Sequence, residues 1–119
     1  MKRQVIFDCD PGHDDALALL LALKLITTSA GNQTQEKTLL NTRRLLSYIG
    51  VLDIEVAKGA DKPLVRDLII AENIHGESGL DGADLGPPMI DVSDRSALEA
   101  MRDVLMKTDD KMTLIATGP

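Results

Sequence analysis

The sequence has 119 residues, 44% of them hydrophobic and 27% charged, which is room for one small globular domain with a real core. Nineteen Asp and Glu against thirteen Lys and Arg leave a formal net charge of −6, and Phe7 and Tyr48 are the only aromatics, so neither a phosphate backbone nor stacked bases would be held: nucleic acid is excluded as a partner. The longest apolar run, Ala16 to Leu23, is far below the roughly 20 residues that cross a bilayer, and Met1-Lys2-Arg3-Gln4 leads into a strand without a signal-peptide pattern, so no membrane partner and a cytoplasmic location are expected.

In chain order, Val5-Ile6-Phe7 is a short β-prone run, and Ala16 to Leu23 is rich in Ala and Leu and predicts a helix. Between them four aspartates fall in eight positions, Asp8-Cys9-Asp10-Pro11-Gly12-His13-Asp14-Asp15. This acidic cluster therefore sits on a strand-to-helix turn, the kind of place where an open parallel sheet binds ligands. Cys9 is the single cysteine, so no internal disulfide can form.

Leu25 to Ser29 reads as a second strand and Ala30-Gly31-Asn32 as a turn. Thr34 is placed to cap a helix with Leu39, Leu40, Leu46 and Ile49 on one face, ending at Gly50. Asp53 to Ala57 predicts a third strand. From Lys58 to Ser93 the pattern dissolves, with Leu68-Ile69-Ile70 the only candidate for regular structure, and so long a loop is usually functional or mobile. Ser96 and Glu99 form a capping box for a helix that carries Leu98, Met101 and Leu105 on one face, and Met112 to Ala116 predicts the last strand before Thr117-Gly118-Pro119.

Strands alternating with helices predict an α/β fold with a mostly parallel open sheet and flanking helices. Two junctions are abrupt. The first helix meets the second strand at Leu23-Lys24-Leu25 with no loop, where parallel strands need a full crossover, and no helix follows the last strand. Both suggest a truncated sequence, with residues 1–119 the N-terminal part of a single domain.

Clustered carboxylates repel one another, and a hard divalent cation removes the conflict; calcium takes six to eight oxygen ligands, whereas magnesium demands stricter geometry. The plainer alternative is local. Asp14 and Asp15 would favour the positive end of the first helix, with Asp8 or Asp10 as its N-cap. A strand followed by Asp-x-Asp also occurs in magnesium-dependent phosphatases of the haloacid dehalogenase type, although Pro11-Gly12 stands where those continue with an apolar residue and Thr or Val.

Asp8 to Asp15 resembles the N-terminal signature of the inosine-uridine-preferring nucleoside hydrolases. Three further segments match in order: Ile26-Thr27-Thr28-Ser29-Ala30-Gly31-Asn32, His75-Gly76-Glu77-Ser78-Gly79-Leu80-Asp81-Gly82, and Ala116-Thr117-Gly118-Pro119. His13 and the His-Gly-Glu-Ser-Gly-Leu run are most similar to the pyrimidine-preferring bacterial branch. The resemblance implies a Rossmann-like core and hydrolysis of the N-glycosidic bond of ribonucleosides, such as uridine or cytidine, to base and ribose. It implies Asp10 as the general base acting on a calcium-bound water, and Asp10, Asp15 and the Thr117 carbonyl as calcium ligands. Asp14, Asn32 and His75 become substrate-binding residues, and Asp8 a supporting carboxylate behind them. It further implies a homo-oligomer, and a C-terminal half that supplies another metal ligand and the leaving-group contacts. Without that half, a calcium-binding or assembly-only piece is the alternative.

Overall fold

The computed structural model describes residues 4–13 and 24–119. Within them the chain forms β1 (Gln4–Cys9), β2 (Leu25–Thr28), helix α1 (Gln35–Tyr48), β3 (Glu55–Lys58), a single helical turn α2 (Glu72–His75), α3 (Ala97–Lys107) and β4 (Met112–Ala116). The four strands make one sheet in the order β3-β2-β1-β4, and every pairing is parallel, as the alternating pattern predicted. The helix expected over Ala16 to Leu23, with Asp14 and Asp15, lies outside the described residues.

Over β1, β2 and β3 both faces of the sheet are covered. Successive strand residues point to opposite sides, so Phe7, Cys9, Ile26 and Val56 pack with Leu46, Ile54 and Ile90, while Ile6, Leu25 and Ala57 pack with Ala97 and Ala100. A two-sided sheet needs apolar residues in unbroken runs rather than in alternation, which is why Ile6-Phe7 and Leu25-Ile26 read as continuous hydrophobics. Phe7 and Ile26 are 1% and 0% exposed, and each such side chain contributes about 1.5–3 kcal/mol by leaving water.

The helices turn inward faces that match the expected ones only in part: Leu39 and Leu46 of α1 and Met101 of α3 pack on the core, whereas Ile49, Leu98 and Leu105 are exposed. In α3 the stripe toward the sheet is Ala97, Ala100, Met101 and Val104, at the spacing i, i+3, i+4, i+7, and Leu98 and Leu105 are 79% and 50% exposed. Alanines at the contact let the helix lie close on the sheet, which larger residues there would prevent. Its Ser96–Glu99 capping box forms as predicted.

In α1 the buried residues are Gln35, Thr38, Asn41, Thr42 and Leu46, so its first half is polar on the inside. That half docks over the carboxyl end of β2. Gln35 Nε2 donates to Thr28 O at 3.1 Å and Thr38 Oγ1 to Ser29 O at 2.9 Å, satisfying carbonyls where the ladder ends. Thr34 occupies the N-cap position, but its side chain accepts no capping bond. The helix ends as expected at Gly50, whose φ of +78° permits a Schellman closure: Val51 N–H donates to Leu46 O at 2.9 Å and Gly50 N–H to Ser47 O at 3.1 Å.

β3 sits two residues later at its start and one later at its end than the predicted Asp53 to Ala57. Leu68-Ile69-Ile70 forms no regular element, and Ile69 is exposed; the only helical turn between Lys58 and Ser93 is α2. The sequence carries no periodic apolar signal there because the segment is held by polar bonds to α1 and to Gly31 rather than by a buried stripe.

Candidate active site

Chain order reverses at β1, which has β2 on one side and β4 on the other. In open parallel sheets, the crevice outside the carboxyl ends of the two strands flanking such a reversal is where ligands bind. β1 ends at Cys9 and delivers Asp10; β4 ends at Ala116 and delivers Thr117. A cleft of about 390 Å³ opens there, lined by Asp10, Gly31, Asn32, Ile69, Thr117, Gly118 and Pro119. Four segments that are 21 to more than 100 residues apart in the chain thus meet at one place.

Asp10 is 4% exposed and is held from the β2 side. The Asn32 N–H donates to its Oδ2 at 2.7 Å, and Asn32 Nδ2 donates to its backbone carbonyl at 3.0 Å. This double contact sets both the backbone and the carboxylate of Asp10. Gly31 is required beside it, because a Cβ at that position would strike Asp10 Oδ2.

Asp8 stands one layer behind. Its Oδ1 accepts from Thr27 Oγ1 at 2.6 Å, and its backbone carbonyl accepts from Thr117 N at 2.9 Å and from Thr117 Oγ1 at 3.3 Å. Asp8 therefore joins β2 to the end of β4. Behind the Thr117 turn, a Cβ on Gly118 would collide with Ser29 Oγ, so the turn passes as close to β2 as a glycine allows.

His75 stands beside the turn at Gly12, next to Asn32. Its ring stacks on that of His13 with centroids 5.8 Å apart, and a Cβ on Gly12 would lie 2.6 Å from His75 Nδ1 and 2.9 Å from Asn32 Nδ2. His75 Nδ1 is buried and has no hydrogen-bond partner. His13 Nε2 lies 3.1 Å from Asp81 O. Asp81 folds the segment after His75 on itself, accepting from Ser78 Oγ at 2.5 Å, Ser78 N at 3.0 Å and Glu77 N at 3.1 Å. The Ser78 hydroxyl and backbone N–H, with lesser help from Glu77 and His13, hold the Asp81 carboxyl below the usual carboxylate range.

Asp8, Asp10, Asn32, His75 and Thr117 are therefore brought together, whereas Asp14 and Asp15 lie outside the described residues. Among the described residues no three His, Cys, Asp or Glu side chains gather closely enough to hold a metal ion. Thr27, Gln33 and Asn41 escaped the sequence reading. A signal existed for Thr27, a hydroxyl in a strand buried at every position, since a buried polar group requires a partner. A second hollow, of about 420 Å³, lies at the other end of the strands, but its Arg95, Glu55 and Asp103 are paired with one another.

Comparison with known proteins puts this geometry in context. The sequence profile of the inosine-uridine preferring nucleoside hydrolases matches residues 5–119. The pyrimidine-specific ribonucleoside hydrolases RihA of Salmonella newport and Klebsiella pneumoniae are 52% and 53% identical over the whole chain. The chain spans 40% of the length of these curated relatives. Their alignments run over 126 positions against 119 residues here, so seven or more positions of the relatives have no counterpart. Among solved structures, a plant nucleoside hydrolase superposes with a TM-score of 0.89 at 29% identity, covering 98% of this chain and 40% of that one. A purine-preferring ribonucleoside hydrolase from Gardnerella vaginalis does so with a TM-score of 0.88 at 25% identity, with the same coverage.

Proposed function

This chain belongs to the inosine-uridine preferring nucleoside hydrolase family, and on that premise we propose that it carries the water-activating half of a ribonucleoside N-glycosidase, with residues 1–119 as the N-terminal part of one α/β domain. The observation that supports this best is the Asp10–Asn32 pair at the mouth of the switch-point cleft. The close relatives named pyrimidine-specific favour uridine and cytidine as substrates. The fold does not bear on the base, because a purine-preferring enzyme shares it.

In this reading Asp10, already oriented by the Asn32 N–H, takes a proton from the attacking water. The water oxygen bonds to the anomeric carbon as the bond to the base nitrogen breaks, through an oxocarbenium-like transition state, and the base leaves with that electron pair and takes up a proton. Asp14 and Asn32 hold ribose hydroxyls, and His75 flanks the sugar and base from the side of Gly12. Asp8 fixes the Thr117 turn and so sets the distance between the two strand ends.

The buried Asp10 carboxylate is a hard oxygen donor facing a polar cleft, which suits a divalent cation, calcium in this proposal; Asp10, Asp15 and Thr117 would hold it. When bound, such an ion acidifies and orients a water. The family membership leaves the phosphatase alternative without support. A calcium-binding or assembly-only piece without turnover is the second reading.

Ribose release from uridine, cytidine, inosine and deoxyuridine, with calcium and after chelation, tests the proposal on this chain and on the longest reading frame containing it. The longer form is expected to cleave uridine and cytidine, to stop on chelation and to spare nucleotides, whose phosphate the acidic turn repels. Equal rates on uridine and deoxyuridine would contradict the roles of Asp14 and Asn32. No hydrolysis by the longest form would overturn the whole reading.

A further inference from the structure

The segment that carries His75 has little apolar anchorage. Between Glu72 and Ser78 no side chain is fully buried, and Ile74 is 71% exposed. Even so, His75 holds a defined place against Gly12 and Asn32.

The restraint comes from two buried amides on the other side. Gln33, 0% exposed, sits just before α1; its Nε2 donates to Glu77 O at 2.9 Å and to Gly76 O at 3.3 Å, and its Oε1 accepts from Thr34 N at 2.9 Å. Asn41, 3% exposed and one face further along α1, donates from Nδ2 to Ser78 O at 2.8 Å. Three consecutive carbonyls following His75 thus accept from amides rooted in the same stretch that delivers Asn32 to Asp10. Gly79 fits between the amides: a Cβ there would lie 3.1 Å from Asn41 Nδ2 and 3.2 Å from Gln33 Cγ, at a φ of +85°.

From this geometry we propose that Gln33 and Asn41 are positioning residues for His75: they clamp residues 76–78 to α1 and so hold the imidazole over Gly12, at a set distance from the Asp10–Asn32 pair. Apolar residues of the same size would fill the space as well but could not bind the carbonyls: Ser78 O would lose its amide donor, Gly76 O and Glu77 O would keep only the Gly79 N–H and the Lys37 ammonium, and the segment would relax toward water. The clamp rests on the functional reading only for its consequence in hydrolysis.

The test uses ring-proton NMR, for which this chain is well suited because it has only two histidines. Gln33→Met and Asn41→Leu are expected to move the His75 ring resonances toward those of an unstacked imidazole and to speed amide exchange across residues 76–81 by about tenfold or more. Ser47→Ala, further along the same helix, should leave both unchanged. If the His75 resonances and the exchange rates stay put while the melting temperature falls, the amides merely fill the core and the inference is wrong. Should the amide variants not fold, Gly79→Ala pushes the segment off the same two groups from outside, and unmoved His75 resonances there would equally overturn it. In the hydrolytically competent form the clamp predicts a raised KM for uridine in Asn41→Leu, recovered in part by Asn41→Gln. Unchanged turnover in His75→Asn would sink the role of His75 in the site while leaving the NMR coupling intact, so the two failures are distinguishable.

Discussion

At Asp10 the decisive local fact is a donor: a backbone N–H from a turn 22 residues away aims the carboxylate into the cleft. If that carboxylate is the proton acceptor, Asp10→Asn keeps the shape and removes the base, and uridine hydrolysis should fall by about 10²–10⁴-fold with KM little changed. Steady-state ribose release measures this, and a loss confined to KM would point to binding alone. Thr27 is a residue whose importance is structural. Thr27→Val keeps the volume and deletes the 2.6 Å bond to Asp8, so urea unfolding should show a loss of about 1–3 kcal/mol. An unchanged midpoint would mean that the other contacts of Asp8 carry its carboxylate without Thr27.

Among the elements, α3 is joined to β3 through one guanidinium. Arg95 donates to Glu55 at 2.5 Å and 3.1 Å and to Asp103 at 2.9 Å, and Ser93 Oγ adds a bond to Glu55 at 2.6 Å. Burial pushes the Glu55 carboxyl up, but the Arg95 and Ser93 hydrogen bonds outweigh it and leave the pKa lowered; Arg95, then Arg102, lower that of Asp103. Both pKa values are depressed on folding, so their contribution is present above the unfolded carboxylate range and disappears as pH falls through the folded values. Arg95→Ala should therefore lower the melting temperature at about pH 7, and the gap to wild type should close as pH falls below the ordinary carboxylate range and through the depressed folded values. A gap that persists in acid would assign the effect to packing of the Arg95 stem. At the end of α1, Gly50→Ala meets no neighbour within 4 Å, so its cost of about 1–2 kcal/mol would come from the left-handed φ alone.

For the molecule as a whole, the two faces of the sheet are unequally closed along its length. β4 is an edge strand among the described residues, and its Leu114 and Ile115 are 56% and 42% exposed, whereas the central β2 is buried throughout and β1 exposes no residue fully. An open parallel edge with apolar side chains is a template for association. Sedimentation of the 119-residue chain at micromolar concentration is expected to show species larger than the monomer, reduced by Leu114→Lys with Ile115→Lys. A clean monomer of the unmodified chain would show that the edge is less adhesive than its exposure suggests.

The sequence by itself determined what local chemistry can encode. The strand that leads into Asp10, a strand from Leu25 that stops at Thr28, one residue short of the expected Ser29, the strand Met112–Ala116, the Ser96–Glu99 cap and the Gly50 stop each depend on a handful of adjacent residues, and each was legible, although Asp8 and Cys9 belong to β1 and not to the turn after it. Only the tertiary structure decided which helix faces turn inward, because α1 meets the polar carboxyl end of the sheet and α3 approaches on alanines, neither of which an apolar periodicity can report. It alone decided that β4 lies beside β1, which creates the cleft from residues more than 100 positions apart. The bonds from Gln33 and Asn41 to the His75 segment span 37 to 44 residues and join amides to backbone carbonyls, which every residue possesses. Such contacts leave no mark on the residue types of the segment they hold, so they become visible only once the chain has folded.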